Sequence, residues 1–304
     1  MAIEMPLVSI GLPVYNGESF VAEAIQCVLA QTFSNWELII CDNGSTDRTV
    51  TICRQFADRD TRIRVYQNAR NMGVAFNFNE VFRLSRGQYF KWIAHDDLFA
   101  PEFVDVCLQV LETDRHVVMA FPRISYVDGS GRLLRRQVSD LSILGPTAES
   151  RVDRLTLLER QSTDIFWSLY GLIRRDVLEQ TGLHGLYGGS DQVLLLDLVL
   201  LGCLKQVEKD LFFRREHPAA ASVRQGGGWT AKDRARFAYS DDRRRLVFPY
   251  CRMLKEHLIC ILNSPLPFRA RLRCTTAVLK RFMAQWKYFA EEAIRSPLDA
   301  LQSQ

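Results

Sequence analysis

The sequence predicts an α/β protein: a mostly parallel sheet flanked by helices, followed by a helical C-terminal extension. Three observations carry that expectation. From Leu7 to Pro122, short β-rich runs alternate with amphipathic helical stretches, the pattern of βαβ units. Polar, turn-forming clusters follow the first, second and fourth runs, on what would be one edge of the sheet. The last quarter of the chain then changes character: Thr230 to Gln304 holds fifteen basic and seven acidic residues, against 24 and 28 in the remainder.

The predicted strands are Val8 to Leu12, Glu37 to Cys41, Ile63 to Gln67, Gln88 to Ala94 and Val117 to Phe121. Helices are expected at Ser19 to Ala30, Thr46 to Ala57, Val74 to Ser85 and Pro101 to Thr113. Ser45 or Thr46 can cap the second helix, and Pro101 suits a first helical turn. Asp128 to Glu149 reads as sheet edge or surface loop, with a hairpin turn at Asp128-Gly129-Ser130-Gly131. An apolar segment, Ser162 to Ile173, leads to a helix near Arg175 to Thr181. Gly188-Gly189-Ser190-Asp191 then opens a helix from Gln192 to Leu201, and Gln206 to Arg214 is strand-like. Beyond a Gly-Gly-Gly-Trp loop at 226 to 229, the tail reads as helices broken at Pro265-Leu266-Pro267.

Composition bounds the function classes. With 304 residues, 47% hydrophobic and 24% charged, disordered, collagenous and fibrous chains are excluded. A formal charge of +4 is too small for a whole-chain nucleic-acid footprint, so no nucleic-acid partner is expected. Eight cysteines without a C-x-x-C read as reduced, packed thiols of a reducing compartment. The N-terminus lacks the pattern of a signal peptide, and the apolar run Val193 to Leu204 is short and interrupted by Asp197. A cytoplasmic protein is expected, or one peripheral on the inner face of the cell membrane.

Ligands of open parallel sheets bind beyond the carboxyl ends of the strands, so the residues just after each strand are the candidates. Asp96 and Asp97 follow the fourth strand. Adjacent side chains on an extended segment diverge, so one carboxylate can face a divalent ion while the other faces a sugar hydroxyl. The same two acids could merely complement the dipole of the helix after Pro101. Asp42 and Asn43 offer acceptors for a base N–H edge or a ribose hydroxyl, and also suit a turn and cap. Tyr15 could stack on a base and Pro13 fix the exit from its strand; either could equally be packing.

Together and in order, these pieces resemble the family 2 glycosyltransferases with the GT-A fold, a Rossmann-like sheet. The resemblance rests on Pro13-Val14-Tyr15-Asn16, Leu29-Ala30-Gln31-Thr32-Phe33, Asp42-Asn43-Gly44-Ser45-Thr46-Asp47, Asn71-Met72-Gly73, Gly87-Gln88-Tyr89 and His95-Asp96-Asp97. It implies an inverting, metal-dependent transfer of a sugar from a nucleotide-diphosphate donor, in the biosynthesis of a surface glycan or glycoconjugate. Asp97 matches the last carboxylate of the family's D-x-D motif and would hold Mn²⁺ or Mg²⁺. Asp96 matches the ribose contact, and Pro13, Tyr15, Asp42 and Asn43 match the nucleotide pocket. His95 departs from the first position of D-x-D and is expected to be a neutral hydrogen-bonding group. Many relatives carry Asp where this chain has Asn43, which loosens the identity of the base; UDP- and dTDP-sugars lead.

Inversion also needs a base for the acceptor hydroxyl. Gly188-Gly189-Ser190-Asp191 resembles the family's acid pair before a helix, with Ser190 replacing the first acid. Asp191 would be the base, or else a helix N-cap. Phe212 to Pro218 resembles a segment of bacterial members, in which Arg215 and His217 would meet diphosphate or metal, or stay at the core edge. Trp229 could supply an aromatic platform on a lid. Gln225 and Trp229 fit the spacing of the Q-x-x-R-W signature of processive synthases, but Gly228 stands where Arg should be, so single-sugar addition is expected.

The acceptor would be a glycan, a lipid-linked molecule or a protein. The tail interleaves Arg269, Arg271, Arg273, Lys280, Arg281 and Lys287 with Phe268, Leu272, Leu279 and Trp286; it could lie on an anionic bilayer, pack on the catalytic domain, or form a homodimer. The expected division is a catalytic domain over 1–229, with a nucleotide half to 125 and an acceptor half from 126, and a basic extension over 230–304. The competing readings are an inert glycan- or partner-binding module of the same fold and a sugar nucleotidyltransferase. The second would need a basic, glycine-rich loop that Pro13-Val14-Tyr15-Asn16 does not supply. A dehydrogenase is disfavoured because no G-x-G-x-x-G follows the first strand.

Overall fold

Four parallel strands set the frame of the nucleotide half in the computed structural model, which describes residues 5–218, 249–287 and 290. They are β1 (Val8–Val14), β2 (Trp36–Asp42), β3 (Ile63–Gln67) and β4 (Tyr89–Trp92), in the spatial order β3-β2-β1-β4. Every residue of β1 and β2 is buried. Helices α1 (Val21–Leu29), α2 (Thr49–Ala57) and α3 (Val74–Arg83) make the crossovers, and burial on both faces explains why these strands read as near-continuous apolar runs.

Two polar residues break the apolar pattern, Ser9 and Glu37, and they satisfy each other at the amino ends of the strands. Ser9 Oγ donates to Glu37 Oε1 at 2.6 Å, while Glu37 Oε2 meets Arg64 at 2.7 Å and Arg86 at 3.1 Å. This pin lies at the end of the sheet opposite the candidate site.

Strand order reverses between β1 and β4, which is where open α/β sheets hold ligands. Pairing of β1 with β2 runs to Val14 and Asp42, whereas pairing of β1 with β4 ends at Gly11 and Trp92. The two strands then part. Pro13, which has no N–H to donate, sits just past the last β1–β4 pair, where no rung is lost.

Past β4 the sheet becomes mixed. β8 (Leu172–Arg174) is antiparallel to both β4 and β6 (Val117–Asp128); β9 (Cys203–Glu216) runs parallel to β6, and β5 (Leu98–Phe99) closes the edge against β9. The sheet is mostly parallel, as expected from sequence, and past β4 it adds short antiparallel pairs beside the long parallel β6–β9 pair. β6 and β9 outrun the predicted strands because they pair along almost their whole length, through three register shifts. Predicted Gln88 to Ala94 is shorter in fact, since Ile93 N–H closes on Gly11 and the chain then turns. The expected turn at 128–131 joins β6 to β7 (Leu133–Arg136).

Helix α4 (Phe103–Thr113) forms as expected. Elements without a counterpart in the sequence reading include β5, α5 (Ala148–Gln161), which starts at a Thr147–Ser150 capping box, and a 3-10 helix over Thr163–Tyr170. The helix expected to Thr181 is a single turn, α6 (Arg175–Leu178), and α7 spans Ser190–Leu201. Helices α8 (Pro249–Asn263) and α9 (Phe268–Ala284) pack on α7 and α5 respectively, and on each other. Met253, Ile261, Cys274, Val278 and Phe282 are buried in the same hydrophobic cluster as the sheet, so these helices share the core of the preceding domain. The boundary expected at 229/230 lies outside the described residues. Among those described, no helix is long and apolar enough to cross a membrane, and all eight cysteines are free.

Candidate active site

Two loops are zipped together at the carboxyl ends of β1 and β2. Asn16, in the left-handed region at φ 49°, donates its N–H to Ser45 Oγ at 2.8 Å, and its Oδ1 accepts from Thr46 N–H at 2.9 Å. Glu18 N–H meets Asp47 Oδ2 at 3.1 Å, and Arg48 N–H meets Glu18 Oε2 at 2.9 Å. Gly44 has φ +76°, and a Cβ there would lie 2.8 Å from the Arg70 backbone, so only glycine fits. The result is a preformed shelf. Tyr15, 43% exposed, stands free of it as a stacking surface.

Asp42 and Asn43 share this shelf but differ in what they have left to offer. Asn43 Nδ2 donates to Asn71 Oδ1 and to the Gly73 carbonyl, and its Oδ1 accepts from Asn68 Nδ2 and Met72 N–H. All its bonding capacity is consumed. Asn43 therefore braces the loop beneath the pocket, the structural alternative to a base contact that the sequence left open. Asp42 Oδ2 accepts from Gly44 and Ser45 N–H at 3.1 and 3.0 Å, while Oδ1 is buried with no partner. An orphaned acceptor of this kind costs about 1–3 kcal/mol, which a donor N–H from a ligand would recover.

Asp96 and Asp97 follow β4 across the crevice. Asp97, 6% exposed, accepts from Arg215 N–H at 2.8 Å. Burial, and after it the Asp96 charge, push its carboxyl up to about 7 against the opposing Arg215 amide, Arg214 and Lys91. Lys91 is fully buried, its ammonium on the Tyr170 carbonyl and 3.6 Å above the Phe103 ring. Asp96 Oδ2 lies 3.1 Å from His217 Nε2, and the His217 ring rests on Phe20 with centroids 4.7 Å apart. Burial lowers His95 from its ordinary value, which keeps it neutral, as the sequence suggested.

Arg215 takes the core-edge place that the sequence left open beside a diphosphate contact. Its Nε donates to the Asp96 carbonyl, Nη1 to the Gly129 carbonyl, and Nη2 pairs with Glu23 at 2.5 Å, while the guanidinium covers the Phe20 ring. Every nitrogen is engaged within the protein. Arg215 locks the end of β9 to the Asp96–Asp97 turn instead of reaching toward a diphosphate.

The donor set suits a divalent ion that takes part of its coordination from a ligand. Among the described residues no group of three His, Cys, Asp or Glu forms a metal cage. A buried carboxylate beside a second one leaves negative charge that a hard cation would neutralise, with phosphate oxygens filling the remaining positions.

Asp191 opens α7 as the second residue of its first turn. Gly189 caps that helix at φ 85°, where a Cβ would lie 2.6 Å from Met253 Sδ, so a bare backbone is needed for α7 to start here. Burial pushes the Asp191 carboxyl up, while the Gln192 N–H, its own N–H and Arg281 pull it down. The preceding loop is tied to α3 by Asn79, which exchanges two hydrogen bonds with the His184 backbone at 2.8 and 3.0 Å. Beside Asp191 lies a buried polar group absent from the sequence reading of the site: Glu159 of α5, Gln192 of α7, His257 of α8 and Arg281 of α9. Arg281, one of the basic residues that the sequence interleaves with apolar ones in the tail, is 5% exposed. Trp229 lies outside the described residues.

Comparison with known proteins identifies the family and the fold. The family described as "Glycosyl transferase family 2" matches residues 9–182. An "Uncharacterized glycosyltransferase" of Haemophilus influenzae is 28% identical over 224 residues, covering 74% of this chain and 81% of its own length. S. aureus TarS 1-349 in complex with UDP-GlcNAc superimposes with a TM-score of 0.64 at 16% identity, covering 91% of this chain and 72% of that one. The mannosyltransferase PcManGT from Pyrobaculum calidifontis, in complex with GDP-Man and Mn²⁺, gives 0.52 at 17% identity, covering 99% and 89%.

Proposed function

This chain belongs to the family 2 glycosyltransferases, and we propose that it transfers a single sugar from a UDP- or dTDP-sugar to an acceptor hydroxyl with inversion, with Mn²⁺ or Mg²⁺. The observation that carries the reading is the facing of two half-sites across the β1–β4 crevice: an orphaned buried acceptor at Asp42 and the adjacent carboxylates Asp96 and Asp97, whose mutual repulsion a cation would relieve. Asp42 Oδ1 accepts the imide N–H of uracil or thymine. Tyr15 stacks on the base, Pro13 shapes the strand exit, and Asp96, steadied by His217, accepts from ribose. Asp97 is the protein ligand of the ion, which supplies charge neutralisation for the departing diphosphate. The complexes of TarS with UDP-GlcNAc and of PcManGT with Mn²⁺ support this reading by analogy of fold.

Asp191 is the base. It takes the proton of the acceptor hydroxyl as that oxygen attacks the anomeric carbon opposite the diphosphate; the anomeric C–O bond to the diphosphate breaks, and its electron pair leaves with the nucleoside diphosphate. Inversion is tested by proton NMR of UDP-sugar hydrolysis with water as acceptor. The first free sugar formed should carry the opposite anomeric configuration, and retention would overturn the mechanism.

For the acceptor side, the reading is a lipid-linked acceptor met at an anionic bilayer. On α9, Phe268, Leu272, Leu279, Met283 and, just beyond, Trp286 form an exposed apolar stripe, with Phe268 79% and Met283 72% exposed. Exposed Arg269, Arg273, Lys280 and Lys287 border it, and α9 contains no acidic residue. A two-fold copy would set these cations against each other, whereas anionic headgroups complement them. Binding to phosphatidylglycerol vesicles that weakens with salt, and is lost in Met283→Ser/Trp286→Ser, is the expected result. Binding to neither anionic nor neutral vesicles, or dimerisation through this stripe, would overturn it.

A further inference from the structure

One guanidinium in the C-terminal helix pair ties four helices together behind the candidate base. Arg281 Nε lies 2.8 Å from Glu159 Oε2 of α5, and both side chains are almost fully buried, at 4% and 2% exposure. Arg281 Nη2 donates to Gln192 Oε1 of α7 at 2.6 Å. Its Nη1 stands 3.4 Å from His257 Nε2 of α8, and His257 Nδ1 is 2.7 Å from the Met253 carbonyl. The Nδ1 position must hold the proton for that last bond, so Nε2 is an acceptor facing Arg281.

A buried ion pair is costly to desolvate, and an apolar pair of similar size would serve packing at least as well. Its place is therefore informative. Gln192 is next to Asp191 in the first turn of α7, and Met253, which bonds His257, also closes over the Gly189 cap of that helix. The approach to Asp191 is fixed from behind by residues of α8 and α9.

We infer that Arg281, held by Glu159 and acting through Gln192, is a positioning residue that fixes the first turn of α7 and presents Asp191 to the acceptor hydroxyl. The tail is thus a working part of the catalytic apparatus, beyond any surface role. Its charge has a consequence as well. Among the described residues, the groups acting on the Asp191 carboxyl are the Arg281 guanidinium and the backbone N–H groups of Gln192 and Asp191 itself, while burial pushes the neighbouring Glu159 carboxyl up to about 7. Removing the Arg281 cation should make Asp191 harder to ionise.

The inference rests on Asp191 being the base, and the experiment separates the two. The Asp191 carboxyl carbon is titrated by NMR in the full chain labelled at Asp Cγ, with Asp191→Asn supplying the assignment, alongside pH profiles of UDP-sugar hydrolysis. Arg281→Met should raise the Asp191 midpoint and the acid limb of kcat/KM together, lower kcat at least tenfold at neutral pH, and leave the KM for donor unchanged. Arg281→Lys should restore most of the midpoint. An unmoved midpoint and limb in folded Arg281→Met, with kcat unchanged, would overturn the positioning role while leaving the base assignment intact. Undiminished hydrolysis by Asp191→Asn would instead overturn the base assignment and this inference with it. If Arg281→Met fails to fold, Gln192→Ala, which removes the acceptor of the Arg281 hydrogen bond, decides: a lowered kcat with the KM for donor unchanged is expected, and an unchanged kcat contradicts the inference.

Discussion

The two halves of the site are built by different means. On the nucleotide side, the shelf formed by Asn16, Asp42, Asn43 and Gly44 is assembled from two βα loops and held by short hydrogen bonds to neighbouring backbone. On the acceptor side, the first turn of α7 that carries Asp191 is tied through Gln192 to the Arg281–Glu159 pair, 122 positions apart in sequence, and starts at a glycine cap pressed on Met253. The first half is local and rigid, so it should keep its geometry when single residues change. The second depends on tertiary packing of α5, α7, α8 and α9, so its chemistry should respond to substitutions far from the reacting atoms.

The largest effect should come from Asp191→Asn. Loss of a general base costs about 10²- to 10⁴-fold, so UDP-sugar hydrolysis should fall by that order while calorimetric UDP binding stays at the wild-type value. The same variant bears on stability. Because burial raises the Asp191 pKa in the folded state, the folded protein gains from its protonated form at low pH and loses that gain as pH rises through the folded value. Asp191→Asn removes that loss, so its Tm at neutral pH should equal or exceed that of the wild type. A marked fall in both Tm and UDP affinity would erase the distinction between the halves.

Asp42→Asn should come next. The amide oxygen can still accept from Gly44 and Ser45, but an N–H₂ then stands where the orphaned acceptor was. UDP affinity should drop roughly 10- to 100-fold, corresponding to about 1–3 kcal/mol, with the fold intact by circular dichroism. Unchanged affinity would place the base elsewhere. A smaller effect concerns pH: the acid limb of kcat/KM should lie above the ordinary carboxylate range, because the raised Asp191 must lose its proton before it can act. The smallest effect on chemistry should come from Met283→Ser/Trp286→Ser, which should hydrolyse donor at the wild-type rate in the absence of vesicles.

The same contrast decides what could be read from the chain alone. Strands β1, β2 and β4 are buried on both faces and the polar clusters follow them directly, so βα alternation located Asp42, Asp96 and Asp97 at the carboxyl end of the sheet. Sequence could not separate Asp42 from Asn43, because only the contacts of Asn68, Asn71 and Met72 reveal that one amide is spent and one carboxylate oxygen is not. Arg215 invited an electrostatic role for the same reason, before its partners Glu23 and Gly129 were visible.

Arg281 was hidden by its company. Among so many basic residues it resembled the exposed Arg269 and Lys280, yet it follows Ala270, Cys274 and Val278 along the inward face of α9, where a cation is out of place. That positional conflict is a readable signal. Glu159, by contrast, had no mark of its own, because the helix that carries it was not recognised. β6 and β9 were underestimated because their length comes from pairing with each other, a long-range property that no local window contains.

The most direct test of the donor site is calorimetric titration of the protein with UDP, dTDP, GDP and CMP, each with Mn²⁺ and again with EDTA, for the wild type and Asp97→Ala. The account predicts metal-dependent binding of UDP or dTDP that disappears in Asp97→Ala. Binding of none of the four, or UDP binding equally strong with EDTA and in Asp97→Ala, would contradict it.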